Sequence, residues 1–289
     1  MFYRIALVLF IILVSSFVIG QCTNTSYGSG ATCVEGAGSG GSYTNQSSNS
    51  VSFTPMATHA IVIAAYQCWT SDCLSTGTTT LSLGATVNGV IDDPEPCFIK
   101  SPRSPFTLLE TGAQHLQQYM WFCPSIPSGI STFTVYCMAA DGVTHVSSCN
   151  YITLTVTEWT GLTTDTTSPF DTDGGAASTM QQTTATVSTA TTTNYTDDLI
   201  YTFFDNTQDD YACAVSPSVT VLQFFRGNIN TGYIASSGGS VQKVQVTWDN
   251  SCPGADNTQD DWYGTVAAIK TSASVPLVLP PTNLKAVVH

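Results

Sequence analysis

From Val51 onward the chain is a succession of short β-branched and aromatic runs, each bounded by clusters of Gly, Asn, Asp or Pro. Several runs alternate with a period of two, which turns successive side chains to opposite faces of a strand. Ile152, Leu154 and Val156 oppose Thr153, Thr155 and Thr157. Val244, Val246 and Trp248 oppose Lys243, Gln245 and Thr247; Phe133, Val135 and Cys137 oppose Thr132, Thr134 and Tyr136. Leu81, Leu83 and Val87 against Ser82, Gly84 and Thr86 repeat the pattern. Such strands are expected to have one buried and one wet face. Two runs differ: Ala60 to Ala65 and Leu199 to Phe204 are nearly continuously apolar, as suits central strands covered on both faces. Regular short strands without intervening amphipathic helices point to an all-β sandwich or barrel rather than to βαβ units. The one helical candidate is Leu108 to Gln118, and Gly112 weakens it.

The ends read differently. Arg4 precedes an apolar run from Ile5 to Val14, and Val18-Ile19-Gly20 offers a small-residue cleavage site. Residues 1–20 are therefore expected to be a signal peptide that exports the chain, leaving no membrane attachment. Residues 21–50 are rich in Gly, Ser, Asn and Thr and are expected to form a loop-like arm stapled by Cys22 and Cys33, with the sandwich running over 51–271. Residues 272–289 form a Pro-rich linker and a terminal strand. That tail has two readings, a module boundary or an extended strand offered to a neighbouring molecule.

Seven Lys and Arg against 20 Asp and Glu give a formal charge of −13, which excludes a phosphate-neutralising nucleic-acid binder. Ten cysteines without a C-x-x-C pair fit disulfides in an oxidising compartment. Short loops favour Cys22 with Cys33 and Cys68 with Cys73; a hairpin reading favours Cys137 with Cys149, leaving Cys97 with Cys123 and Cys213 with Cys252.

The most specific local feature is a duplicated hexapeptide. Asp205-Asn206-Thr207-Gln208-Asp209-Asp210 recurs as Asp256-Asn257-Thr258-Gln259-Asp260-Asp261, each copy followed by an aromatic, Tyr211 or Trp262. Two readings stand for Asp205, Asp209, Asp210, Asp256, Asp260 and Asp261. They are solvated turn formers, or their carboxylates bind calcium, whose hard-cation chemistry prefers oxygen ligands. Asp171-Thr172-Asp173-Gly174-Gly175 lacks the further acids of an EF-hand and reads as a turn.

No G-x-S-x-G, P-loop or H-E-x-x-H pattern occurs, so the commonest hydrolase, nucleotide and zinc-protease signals are absent. Asp92, Asp93 and Glu95 lie in a Pro-rich turn beside Cys97, and His59, His115 and His145 share no metal-ligand spacing. No enzymatic role is expected. Trp69, inside the Cys68 to Cys73 loop, and Trp262 with Tyr263 are flat aromatics that could stack on a polysaccharide or pack in the core.

Trp159-Thr160-Gly161, Ser168-Pro169-Phe170-Asp171, Asp198-Leu199-Ile200-Tyr201-Thr202-Phe203 and the run from Asp261 to Lys270 resemble secreted jelly-roll-like β-sandwich modules of large extracellular proteins of soil bacteria. The likeness spans roughly Val51 to Thr271 and departs from those modules in its ten cysteines. It implies a sandwich fold and no catalytic residue. The expectation is a secreted structural or adhesive protein that self-associates through its C-terminal strand, with a carbohydrate-binding module as the alternative.

Overall fold

The computed structural model describes Cys22 and residues 24–39, 48–52, 54–56, 58–67, 80–87, 90–92, 98–99, 117–125, 132–138, 152–165, 167–206, 214–216, 220–225, 228–235, 237–247 and 260–277. Among these residues there is no helix. Every regular element is a strand in an antiparallel sheet.

The strands fall into two consecutive halves. In the first, β1 (Thr25–Gly28), β2 (Ala31–Ser39), β4 (Ala60–Gln67), β7 (Phe98–Ile99), β8 (Gln117–Cys123) and β10 (Ile152–Thr160) form a six-stranded sheet ordered β1-β2-β10-β4-β8-β7. A four-stranded sheet contains β3 (Ser48–Ser52), β5 (Thr80–Val87), β6 (Val90–Asp92) and β9 (Thr132–Met138), ordered β3-β9-β5-β6. In the second half, β11 (Phe170–Gln182), β14 (Asp198–Asn206), β16 (Thr220–Phe225), β17 (Asn228–Ala235) and β19 (Asp260–Ile269) form a five-stranded sheet ordered β11-β19-β14-β17-β16. A three-stranded sheet follows the order β12 (Thr184–Ser188), β18 (Lys243–Thr247), β15 (Ala214–Ser216). A short ribbon pairs β13 (Tyr195–Thr196) with β20 (Val275–Pro276).

The two halves repeat one plan. In chain order, β2-β10-β4-β8 of the first half corresponds to β11-β19-β14-β17 of the second, and β3-β9-β5 corresponds to β12-β18-β15. The first half of this plan ends and the second begins within residues 161–169.

The sheets stack in layers. One core cluster joins Ala60 and Val62 of β4, Met120 and Phe122 of β8 and Trp159 of β10 to Leu199, Tyr201 and Phe203 of β14 and Ala267 and Ile269 of β19. The six- and five-stranded sheets therefore pack face to face. A second cluster lies on the opposite face of the five-stranded sheet, where Ile200, Phe204, Trp262, Val266 and Ala268 meet Ala185, Val187, Val244 and Val246 of the three-stranded sheet. The four-stranded sheet approaches the six-stranded one through β3 and β9 against β2 and β10.

This stacking accounts for the continuously apolar runs. Leu199 to Phe204 alternates between the two clusters, and Ala60, Ile61 and Val62 are all buried. It also corrects one expectation. Thr153, Thr155 and Thr157, read as the wet face of β10, are each 0% exposed, because the five-stranded sheet covers them. Burial is tolerable where the hydroxyl finds partners: Thr157 Oγ1 donates to the Val62 carbonyl and accepts from Trp159 Nε1 at 2.9 Å. The alternation of β18 stands as expected, with Val244 and Val246 buried and Lys243 exposed.

Residues 25–39 are not the loop-like arm expected. They form β1 and β2, and β2 pairs with β10 along Leu154–Thr160. Small side chains make this possible. A Cβ at Gly36 would lie 3.3 Å from the Thr157 methyl, and the Cys22–Cys33 disulfide, as expected, lies in the same buried cluster. Gly36-Ala37-Gly38 opens a Gly-x-Gly-x-x-Gly string, and these three residues lie inside the antiparallel strand β2, whereas a dinucleotide site places its first glycines in the turn after a strand. The Asp171 to Gly175 stretch, read as a turn, is part of β11. Of the helical candidate, Gln117 and Gln118 begin β8 and the rest lies outside the described residues.

Candidate functional site

The densest polar constellation lies where the second half begins and the C-terminal segment returns. Asp197 adopts φ 62°, which turns the chain from β13 into β14 and places Asp198 at the strand's first position. Asp198 is 0% exposed; its Oδ1 accepts a 2.7 Å hydrogen bond from Ser274 Oγ, and its Oδ2 is buried with no donor. Burial, reinforced by the Asp171 carboxylate against the pull of Ser274 and Lys270, pushes Asp198 up to about 7.

Asp171 faces the other way as well. It accepts hydrogen bonds from the Asn194 and Tyr195 amides and, at 2.9 Å, from Asn194 Nδ2. Asp171 and Asp198 thus hold the two sides of one ribbon. Asp171 fixes the entry to β13, and Asp198 fixes the turn before β20. Lys270 Nζ donates to the Ser168 carbonyl at 2.6 Å and sits 4.4 Å from the Tyr195 ring centre. Thr271 Oγ1 donates to the Asp197 carbonyl, Leu277 N donates to the Asn194 carbonyl, and Ser29 Oγ ties the Asp197 carboxylate to the first half at 2.6 Å.

A second polar pair lies in the first half. Glu158, 2% exposed, accepts from the Met56 amide at 2.9 Å and meets His59 Nδ1 at 2.6 Å. Both bonds hold the connection that carries the chain from β3 to β4. Beside the pair lies a cleft of about 170 Å³ lined by Thr58, His59, Pro124, Thr160 and Thr164 among others. Thr58, a β-branched residue, is held at φ 75°.

The residues singled out by sequence are distributed as follows. Trp262 is 6% exposed and packs with Phe204 and Val246, so its ring is core and not a platform for a sugar. The strand pattern explains this, because Trp262 shares the face of β19 that carries Val266 and Ala268. Tyr263 is the next position of β19, opposite Asp205; Trp69 lies outside the described residues. In the register of β14 with β19, Asp205 pairs with Tyr263 and Asn206 with Trp262. The first residues of one hexapeptide and the last of the other, Asp260 and Asp261, therefore share one end of the sheet. Asp209, Asp210 and Asp256 lie outside the described residues. Among the described residues no group of three or more acids, histidines or cysteines is arranged to hold a metal. Cys123 is also disulfide-bonded, whereas the pairings expected for Cys68 with Cys73, Cys137 with Cys149 and Cys213 with Cys252 fall outside the described side chains, as does Cys97.

No family model matches the chain, and no curated protein or solved structure is significantly similar to it. Neither polar constellation was read from sequence. Asp171, Asp198, Ser274 and Lys270 are scattered over a hundred residues and meet only because β11, β14 and β19 are neighbours.

Proposed function

We propose that the protein is a secreted, non-enzymatic structural or adhesive component that self-associates through the segment beyond Leu277. The observation that carries this reading is the main-chain pairing of Val275 and Pro276 with Tyr195 and Thr196. It anchors the segment that precedes residues 278–289 at a defined place on the domain. An extended segment delivered this way can add to the sheet edge of a second copy by backbone hydrogen bonds.

We read each half as a jelly roll, since the strand order repeats and each half winds alternately between two sheets. The duplicated hexapeptides are read as calcium ligands because both copies reach the same end of the β14 and β19 pair.

Light scattering of the mature chain, full length and ending at Leu277, tests the proposal. Higher-order species that disappear on truncation support it; a monomer in both cases refutes it. Cutting after Leu277 leaves the ribbon intact. For the cation, a rise in melting temperature in millimolar calcium that Asp260→Asn with Asp261→Asn abolishes is expected, and no rise would remove the metal from the reading.

A further inference from the structure

We propose that the cleft beside His59 binds one neutral sugar ring, with His59 Nε2 accepting from a ring hydroxyl and the threonine hydroxyls of the cleft completing the polar contacts. The site goes beyond the self-association proposed above and does not rest on it.

The imidazole is set before a ligand arrives. The buried Glu158 accepts at Oε1 from the Met56 amide at 2.9 Å and from His59 Nδ1 at 2.6 Å. A carboxylate only accepts, so Nδ1 carries the hydrogen and Nε2 of the neutral ring is left as an acceptor. Nε2 has no partner among the described residues, and the side chain is 20% exposed. The tie on the β3 to β4 connection uses Nδ1 and the Met56 amide alone, so the structural role leaves Nε2 over. Two irregularities of the backbone adjoin the same place. Thr58 holds a left-handed φ of 75° immediately before His59, and the β2 and β10 register slips between Glu158 and Trp159. Strained residues and bulges of this kind collect where a side chain must be aimed at a ligand.

The walls select the ligand. No Asp, Glu, Lys or Arg lines the cleft, so a charged molecule would lose its hydration there without meeting a counter-charge. Thr58, Thr160 and Thr164 stand with His59 on the lining, and their hydroxyls make no hydrogen bond among the described residues. Each can donate or accept, as the hydroxyls of a sugar can. Pro124 and Leu162 supply apolar wall for the C–H face of a ring. Trp159 also borders the cleft, but it is fully buried with Nε1 committed to Thr157, so it gives no open face for stacking. Recognition is therefore by hydroxyl groups. A volume of about 170 Å³ corresponds to roughly six waters at about 30 Å³ each, which suits one six-membered ring and not a chain of them.

Nitrogen-15 spectra of the histidine rings in the full chain, titrated with the methyl glycosides of glucose, galactose, mannose and N-acetylglucosamine, read the contact directly. The expected result is a saturable movement of the His59 Nε2 resonance at millimolar concentrations of at least one glycoside, with glycerol at the same concentration leaving it in place. Thr160→Val removes one hydroxyl at nearly constant shape and should weaken that glycoside about three- to tenfold, the net worth of one hydrogen bond. Thr164 is exposed, so Thr164→Val makes the same measurement if the strand variant does not fold. No movement with any of the four, an equal movement with glycerol, or undiminished affinity in the folded variant overturns the site. Light scattering of the same samples keeps the two proposals apart. Tail-dependent oligomers without glycoside binding remove this site and leave the assembly, whereas a glycoside-binding monomer does the reverse.

Discussion

Gly161 backs onto the carbonyl of Gly30 so closely that a Cβ on residue 161 would lie 2.0 Å from that oxygen. The contact joins the turn that ends the first half to the β1–β2 hairpin. Its neighbourhood is dense in main-chain bonds, because Ser272 N donates to the Gly161 carbonyl and Thr163 N to that of Lys270. Gly161 also adopts φ 76°, a conformation L side chains rarely occupy.

Gly161→Ala should therefore destabilise by well over about 1 kcal/mol, since left-handed strain and a backbone clash add. Gly28→Ala supplies the control. Gly28 has φ 93° but no atom within 4 Å of its added Cβ, so only the conformational cost applies. Denaturant unfolding of both variants should show the larger loss at Gly161, and equal losses would refute the close approach.

Trp262→Ala should cost about 3 to 5 kcal/mol, the range for removing a large aromatic from a packed core. Polysaccharide pull-down by a folded Trp262→Phe variant should equal that of the native chain. A selective loss of sugar binding in that variant would restore the stacking role.

His59→Ala should lower stability by about 1 to 3 kcal/mol by leaving the buried Glu158 carboxylate held by the Met56 amide without the imidazole. A double-mutant cycle with Glu158→Gln isolates the pair. Additive losses would show that the 2.6 Å contact contributes nothing of its own.

Stability should fall at alkaline pH between about 10 and 12. Burial pushes the hydroxyls of Tyr201 and Tyr233 up to about 12 from an ordinary 10.0. In that window the unfolded chain gives up protons that the folded chain retains, so the contribution of these two hydroxyls is intact below pH 10 and declines as pH rises through 12. Denaturant titrations at pH 9, 10, 11 and 12 measure the slope. Tyr201→Phe should make it shallower; an unchanged slope would place the titration elsewhere.

Strand chemistry was readable locally because it depends on neighbours in the chain. The runs at Ala60 to Ala65 and Leu199 to Phe204 were legible as doubly covered strands, and they occupy equivalent places, β4 and β14, in the two halves. The alternating runs at Phe133 and Val244 are likewise equivalent, as β9 and β18. That correspondence was a signal for the repeated architecture. The carboxyl anchors of the ribbon left no such trace, because Asp171 and Asp198 reach its two sides only through strand order.

The amino-acid sequence by itself determined that this chain forms strands, which of them alternate, and that Cys22 lies near Cys33. Tertiary structure decided which faces are dry. A period of two divides a strand into two faces, but it cannot say whether the polar face meets water or another sheet. Thr153, Thr155 and Thr157 would suit either environment, since a threonine methyl packs and its hydroxyl can bond within a core. The same ambiguity hid the N-terminal strands: glycine and alanine in residues 31–38 look like loop chemistry until β10 and the sheet above require side chains that small. Asp198 is likewise an ordinary acid in the sequence. Only its burial at the start of β14 pushes its carboxyl above the ordinary carboxylate range.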